Sequence, residues 1–285
     1  MLKHASAHLL DDRHVRSVRA VLATDPVMSC MVAARIEHGG LEPWRLGGEL
    51  WGFPGEPGGA REGALDGLCF SGANLVPLYG GRPAMRAFAE RAASQTRSCS
   101  SMVGPAVHVL ALWSQLCDCW GPAREERLNQ PLLVLADQPL VLADPLVRMV
   151  RPDELDRYLP AAVAMFTEEV GVDPQLPDGG AGYRARVAEL IAAGRAFARF
   201  EADEVVFKAE IGAMSSTVGQ IQGVWVHPDR RGQGLAAAAT AAVVVQLQRM
   251  GRIASLYVNA YNQPARAAYR RVGFTQVGSF ATVLF

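Results

Sequence analysis

Val224-Trp225-Val226-His227-Pro228-Asp229-Arg230-Arg231-Gly232-Gln233-Gly234-Leu235-Ala236 passes from a strand-forming stretch, through a glycine pair, into an apolar helix-forming one. Upstream, Ile221 to Val226 is β-branched and aromatic, the composition of a packed strand, and Pro228 cannot extend its ladder. Downstream, the helix from Leu235 is apolar nearly all round, so it is expected to be buried. Its N-terminus then faces whatever occupies the turn. Backbone N–H groups at a helix start point outward with the positive end of the dipole, and glycines let them approach an anion with no Cβ in the way. The stretch reads as a strand–turn–helix whose open end can take an anion, or as a generic strand–turn–helix that binds none.

The residues around it continue the same architecture. Val147 to Val150 reads as a short strand, and Pro152-Asp153-Glu154 opens a helix with acidic residues in its first turn. Leu155, Leu159, Ala162, Val163 and Phe166 recur at helical spacing, and a second helix is expected over 182–193. Strands are expected over 196–201, 205–214, 219–226 and 254–258, a helix over 263–272, and two terminal strands over 274–278 and 281–285. Strands alternating with helices imply an α/β (α+β) domain with a central mixed sheet.

These residues resemble the GNAT superfamily of N-acetyltransferases. Its signature (Arg or Gln, two residues, Gly, one residue, Gly or Ala) corresponds to Arg231, Gly234 and Ala236, preceded by the family's frequent Val-x-Pro at Val226 and Pro228. The resemblance implies that backbone amides of Arg231, Gly232, Gln233, Gly234, Leu235 and Ala236 hold the pyrophosphate of acetyl-CoA. It also implies that Val224, Trp225 and Val226 pair with the pantetheine arm as with an added strand. A second segment, Leu256 to Phe274, is similar to the family's distal cofactor region. There Asn262 would hydrogen-bond the pantetheine, and Tyr269 would contact the cofactor and protonate the departing thiolate.

The general base is less plain. Related enzymes often carry a glutamate on the central strand, where this chain has Gln220 and Gln222, and Tyr257 stands where some protein-acetylating relatives have one. Glu210 lies on the preceding strand and reads as a surface carboxylate. Glu168 and Glu169 end the first helix, which in this fold borders the acceptor pocket, and either is expected to recognise or deprotonate the acceptor amine. His227, in the turn, reads as a solvated loop histidine.

The first half repeats the order. Helices are expected over 15–23, 26–38, 83–94 and 105–120, strands over 46–51, 65–70, 74–79 and 98–103, and a loop over 52–63. The turn Gly80-Gly81-Arg82 lacks the anion-binding string, and Pro83 removes a donor at the helix start. Residues 1–136 are therefore expected to form a degenerate GNAT-like domain that binds the cofactor poorly, the alternative being an unrelated α/β domain. A linker over 137–146, marked by Pro139 and Pro145, would join it to a catalytic domain over 147–285.

The whole chain agrees with such a reading. Its 285 residues suit two domains, and half are hydrophobic, enough for two cores. Lysine and arginine balance aspartate and glutamate at 28 each, so neither nucleic acid nor an anionic membrane is expected as a partner. Cys30, Cys69, Cys99, Cys117 and Cys119 are too few and odd in number for a disulfide framework, and the spacing of Cys117 and Cys119 does not suit zinc, so no metal is expected. The N-terminal residues 1–14 lack the apolar core of a signal peptide, and the longest apolar run, 235–245, is shorter than the roughly 18 residues of a membrane span. The expected protein is cytoplasmic, with acetyl-CoA and a protein or small-molecule amine as partners, and a homodimer compatible with it. The competing reading is a non-catalytic acetyl-CoA sensor. The missing obvious base favours it; the intact Asn262 and Tyr269 argue against it, because a pure binder has no use for an acid over the sulfur.

Overall fold

The computed structural model describes residues 6–55, 64–176 and 178–285, so most of the expected 52–63 loop lies outside the described residues. The chain divides into two compact units, 1–132 with 276–285, and 133–275.

The first unit contains β1 (His8–Leu9), α1 (Val15–Leu22), α2 (Pro26–Gly39), α3 (Pro43–Leu46), β2 (Gly48–Pro54), β3 (Leu65–Gly72), β4 (Asn74–Gly80), α4 (Arg82–Ala93), β5 (Ser101–Pro105), α5 (Ala106–Trp120) and most of β6 (Glu125–Leu135). Its sheet order is β1-β2-β3-β4-β5, then the final strand of the chain, then β6. Local chemistry fixes several boundaries. Asp25 caps α2 by accepting the Met28 N–H at 2.9 Å, with Pro26 at the first helical position, and Gly47 ends α3 in the left-handed region. The parallel pair β4 and β5 is joined only through Asn74–Ser101 and Leu75–Met102. Pro83 lies in the first turn of α4, where a donor is missing.

The second unit contains β7 (Arg148–Met149), α6 (Leu155–Val170), α7 (Ala181–Ala192), β8 (Ala196–Glu201), β9 (Glu204–Met214), β10 (Val218–Val226), α8 (Leu235–Arg249), β11 (Ile253–Tyr257) and α9 (Gln263–Val272). Its sheet runs from the end of β6 through β11-β10-β9-β8 to β7. Alternation along β9 assigns the two faces. Phe207, Ala209 and Ile211 pack with Ala239, Val243 and Leu247 of α8 and with Val272 of α9. On the opposite face Trp225 joins Tyr158 and Ala162 of α6 and Val187 and Ile191 of α7. The sheet is thus covered on both sides, the mixed α/β sandwich expected of the sequence.

Several features depart from the sequence-based expectation. The two terminal strands are one, β12 (Thr275–Leu284), whose residues beyond Thr275 belong to the first unit, where Phe280–Leu284 pair with β5. β6 was not anticipated, because Asn129-Gln130-Pro131 punctuates the run that forms it. The expected linker forms no helix or strand, but it is anchored on the second unit: the Leu140 N–H donates to Val272 O at 2.8 Å, and Asp144 takes Arg199 Nη1 at 2.8 Å.

Candidate functional site

β10 and β11 run parallel but pair only through Val218–Gln220 and Ile253–Ser255. Beyond Gln220 the ladder between them ends while β10 continues to Val226. On its other edge β10 pairs with β9, with a register shift between Gln222 and Trp225. Gly223 stands in that bulge at φ 56°, a left-handed conformation that favours glycine. The stretch Val224–Val226 therefore borders a gap in the sheet, where an extended ligand can add as a strand.

The turn at its end is built from backbone. A single 3₁₀ turn, Pro228–Arg230, leads to Gly232 at φ 75° and Gly234 at φ 81°, and Gly234 is the N-cap of α8 with no side-chain cap. A Cβ at either glycine would meet nothing within 4 Å, so backbone conformation rather than crowding calls for glycine here. Among the described residues, the N–H groups of Gly232, Gln233, Gly234, Leu235 and Ala236 have no protein acceptor. A row of such donors at an uncapped helix start is an anion site. His227 braces the turn: its Nδ1 accepts the Asp229 N–H at 3.3 Å, and its ring meets Trp225 edge-on.

The Arg231 side chain does not project into the turn. Its Nε donates to Val226 O at 3.0 Å, and its Nη2 reaches both oxygens of Glu168, at 3.0 and 2.8 Å. Glu168 also accepts the Trp225 indole N–H at 2.9 Å. Glu168 thus ties the end of α6 to β10 and to the turn. Glu169, next to it, accepts from Asn259 Nδ2 at 3.2 Å, just past β11.

Across the gap, Asn262 caps α9 by accepting the Ala265 N–H at 3.2 Å, which leaves its amide group as the donor for a ligand. Tyr269 is buried on α9 against Phe274. Burial, and secondarily the charge of Glu169, push its hydroxyl well above the ordinary tyrosine range. It is a protonated acid at neutral pH.

Glu210 differs from its expected place. It is 4 % exposed, not a surface carboxylate. Its Oε1 takes Lys208 Nζ at 2.5 Å and the Tyr158 hydroxyl at 3.4 Å, and its Oε2 faces Gln222 Nε2 at 3.5 Å. Lys208 is wholly buried, and burial lowers its pKa against the opposing effect of Glu210. Alternation in β9 placed both residues on one face, but nothing in the local pattern distinguished a buried pair from a solvated one.

Residues 164–274 match the acetyltransferase (GNAT) family, and residues 48–158 match a domain of unknown function (DUF4081). The GNAT match thus lies in the C-terminal half of the chain. A GNAT-family acetyltransferase from Colwellia psychrerythraea covers 98 % of this chain and is itself 99 % covered, at 13 % identity and a TM-score of 0.54. A tandem GNAT protein from the clavulanic acid biosynthesis pathway aligns over 98 % of both chains at 15 % identity and a TM-score of 0.51. The GNAT fold therefore has counterparts along the whole chain. By sequence, 60 residues are 43 % identical to a mycothiol acetyltransferase from Pseudarthrobacter chlorophenolicus, a match that spans 21 % of this chain and only 19 % of that protein.

Proposed function

We propose that the second unit is an acetyl-CoA-dependent N-acetyltransferase that acts on a primary amine of a small molecule or protein. The observation that carries this reading is the row of unpaired N–H groups from Gly232 to Ala236, at the end of a strand whose edge opens beyond Gln220. In this reading the row holds the pyrophosphate, with the glycines giving it close approach. Val224, Trp225 and Val226 take the pantetheine as an added strand, and the Asn262 amide steadies it. Tyr269 protonates the leaving thiolate while the amine nitrogen forms its bond to the acetyl carbon. Glu169, whose charge acts on Tyr269, is the candidate to take the amine proton. Glu168, engaged by Arg231 and Trp225, holds the turn.

The first unit is proposed to be a copy that has lost the cofactor, because Pro83 replaces a donor in the first turn of α4. The proposed setting is the cytoplasm; no helix among the described residues is long and apolar enough to cross a membrane.

Incubation of the protein with isotopically labelled acetyl-CoA and a panel of primary amines tests the reading by product mass. A labelled N-acetyl product from at least one amine is expected. Hydrolysis alone across the panel would reject it.

A further inference from the structure

Gln222 stands two residues past the last β10–β11 pair and immediately before the bulge at Gly223. It is half-buried, so part of its side chain stays open to a ligand on that face of the sheet. Its orientation is determined by what lies behind it. Glu210 Oε2 is 3.5 Å from one end of the amide. An amide oxygen turned to a carboxylate would set acceptor against acceptor, so the NH₂ group faces Glu210 and the carbonyl faces away. Glu210 is in turn held through its other oxygen by Lys208 at 2.5 Å and Tyr158 at 3.4 Å.

Gly212 completes the arrangement from β9. A Cβ there would lie 2.0 Å from Gln222 Oε1 and 2.2 Å from Cδ, so the glutamine lies across bare backbone that any side chain would deny it. Two separate features, a buried charge chain and a glycine opposite, thus orient one amide.

We infer that Gln222 recognises the acceptor: its Oε1, oriented through Lys208 and Glu210, accepts a hydrogen bond from the N–H of the incoming amine. This rests on the acetyltransferase reading and adds the group that meets the acceptor. It also gives a use to a glutamine that cannot take a proton at neutral pH. The Glu210 charge is compensated by Lys208, so the acceptor meets a neutral oxygen and need not be cationic. Gln222 contacts substrate; Glu210, Lys208 and Gly212 are positioning residues.

The test uses the full-length protein, acetyl-CoA and whichever primary amine the wild type acetylates fastest, with Gln222→Met, Gly212→Ala and the double variant. Each single change is expected to raise KM for the amine about tenfold, the worth of one hydrogen bond, with kcat and the acetyl-CoA dissociation constant held within about twofold. The double variant should be no worse than the poorer single one, because both remove the same bond. Additive effects, or an unchanged amine KM in Gln222→Met, would overturn the inference. Should Gly212→Ala not fold, the KM-against-kcat split of Gln222→Met decides alone. If no amine is acetylated, the acetyltransferase reading fails by itself. The side-chain ¹⁵N signal of Gln222 still decides the present inference: it should shift when n-propylamine is added to the CoA-bound protein, and an unmoved signal would refute it.

Discussion

Arg231 donates to both carboxylate oxygens of Glu168, so the residue that opens the glycine turn is fastened to the last turn of α6. Glu168→Gln should therefore loosen the turn rather than stop the chemistry. Both partners are half exposed, so the loss in stability should stay below about 1 kcal/mol. The acetyl-CoA dissociation constant, measured by calorimetry, should rise several-fold with kcat little changed. A collapse of kcat at unchanged affinity would instead make Glu168 the proton acceptor.

Gly234 occupies φ 81° in open space. Gly234→Ala should cost about 1 kcal/mol of backbone strain, visible as a small drop in melting temperature. The added methyl group would also stand among the free N–H groups, so acetyl-CoA affinity should fall about tenfold or more. Calorimetry compared with a melting curve separates the two effects.

Tyr269→Phe should lower kcat by about a hundredfold at unchanged acetyl-CoA affinity, the usual scale for loss of a general acid. Burial and the Glu169 charge raise the pKa of Tyr269. The acid form is present below the raised pKa and lost only as pH rises through it. The pH–rate profile should therefore show no basic limb from this group within the ordinary tyrosine range.

Glu154 is 2 % exposed, and its carboxylate takes both Arg148 Nη groups at 2.7 Å and the Arg151 N–H at 2.9 Å. The Arg148 hydrogen bonds, above all, hold its pKa down to about 2 against the opposing effect of burial. A depressed carboxylate stabilises the fold above its unfolded pKa and loses that contribution as pH falls through the folded one. Glu154→Gln should cost about 2 kcal/mol at pH 7, and the difference from wild type should close between about pH 4.5 and 2 in denaturant titrations.

The strand–turn–helix of β10 and α8 was legible because it is local: β-branched residues, a stopping proline, two glycines and an apolar helix each carry their own signal. α9 was equally plain, with Asn262 and Pro264 at its start and Gly273 at its end. Long-range pairing was not. The bulge at Gly223 exists only against β9, the burial of Lys208 and Glu210 only beneath α6, and the union of the terminal strands only beside β5. The employment of Glu168 likewise depends on Arg231, 63 residues away. The candidate cofactor residues follow the chain; the acceptor side is assembled across it.

Amine-dependent release of free thiol from acetyl-CoA tests the central claim most directly. Wild-type protein should release thiol in proportion to the amide formed and stop when amine is withheld, with Tyr269→Phe binding acetyl-CoA normally but turning over about a hundredfold more slowly. Tight binding of acetyl-CoA with no amine-dependent thiol release would contradict the account and leave a binding module in its place.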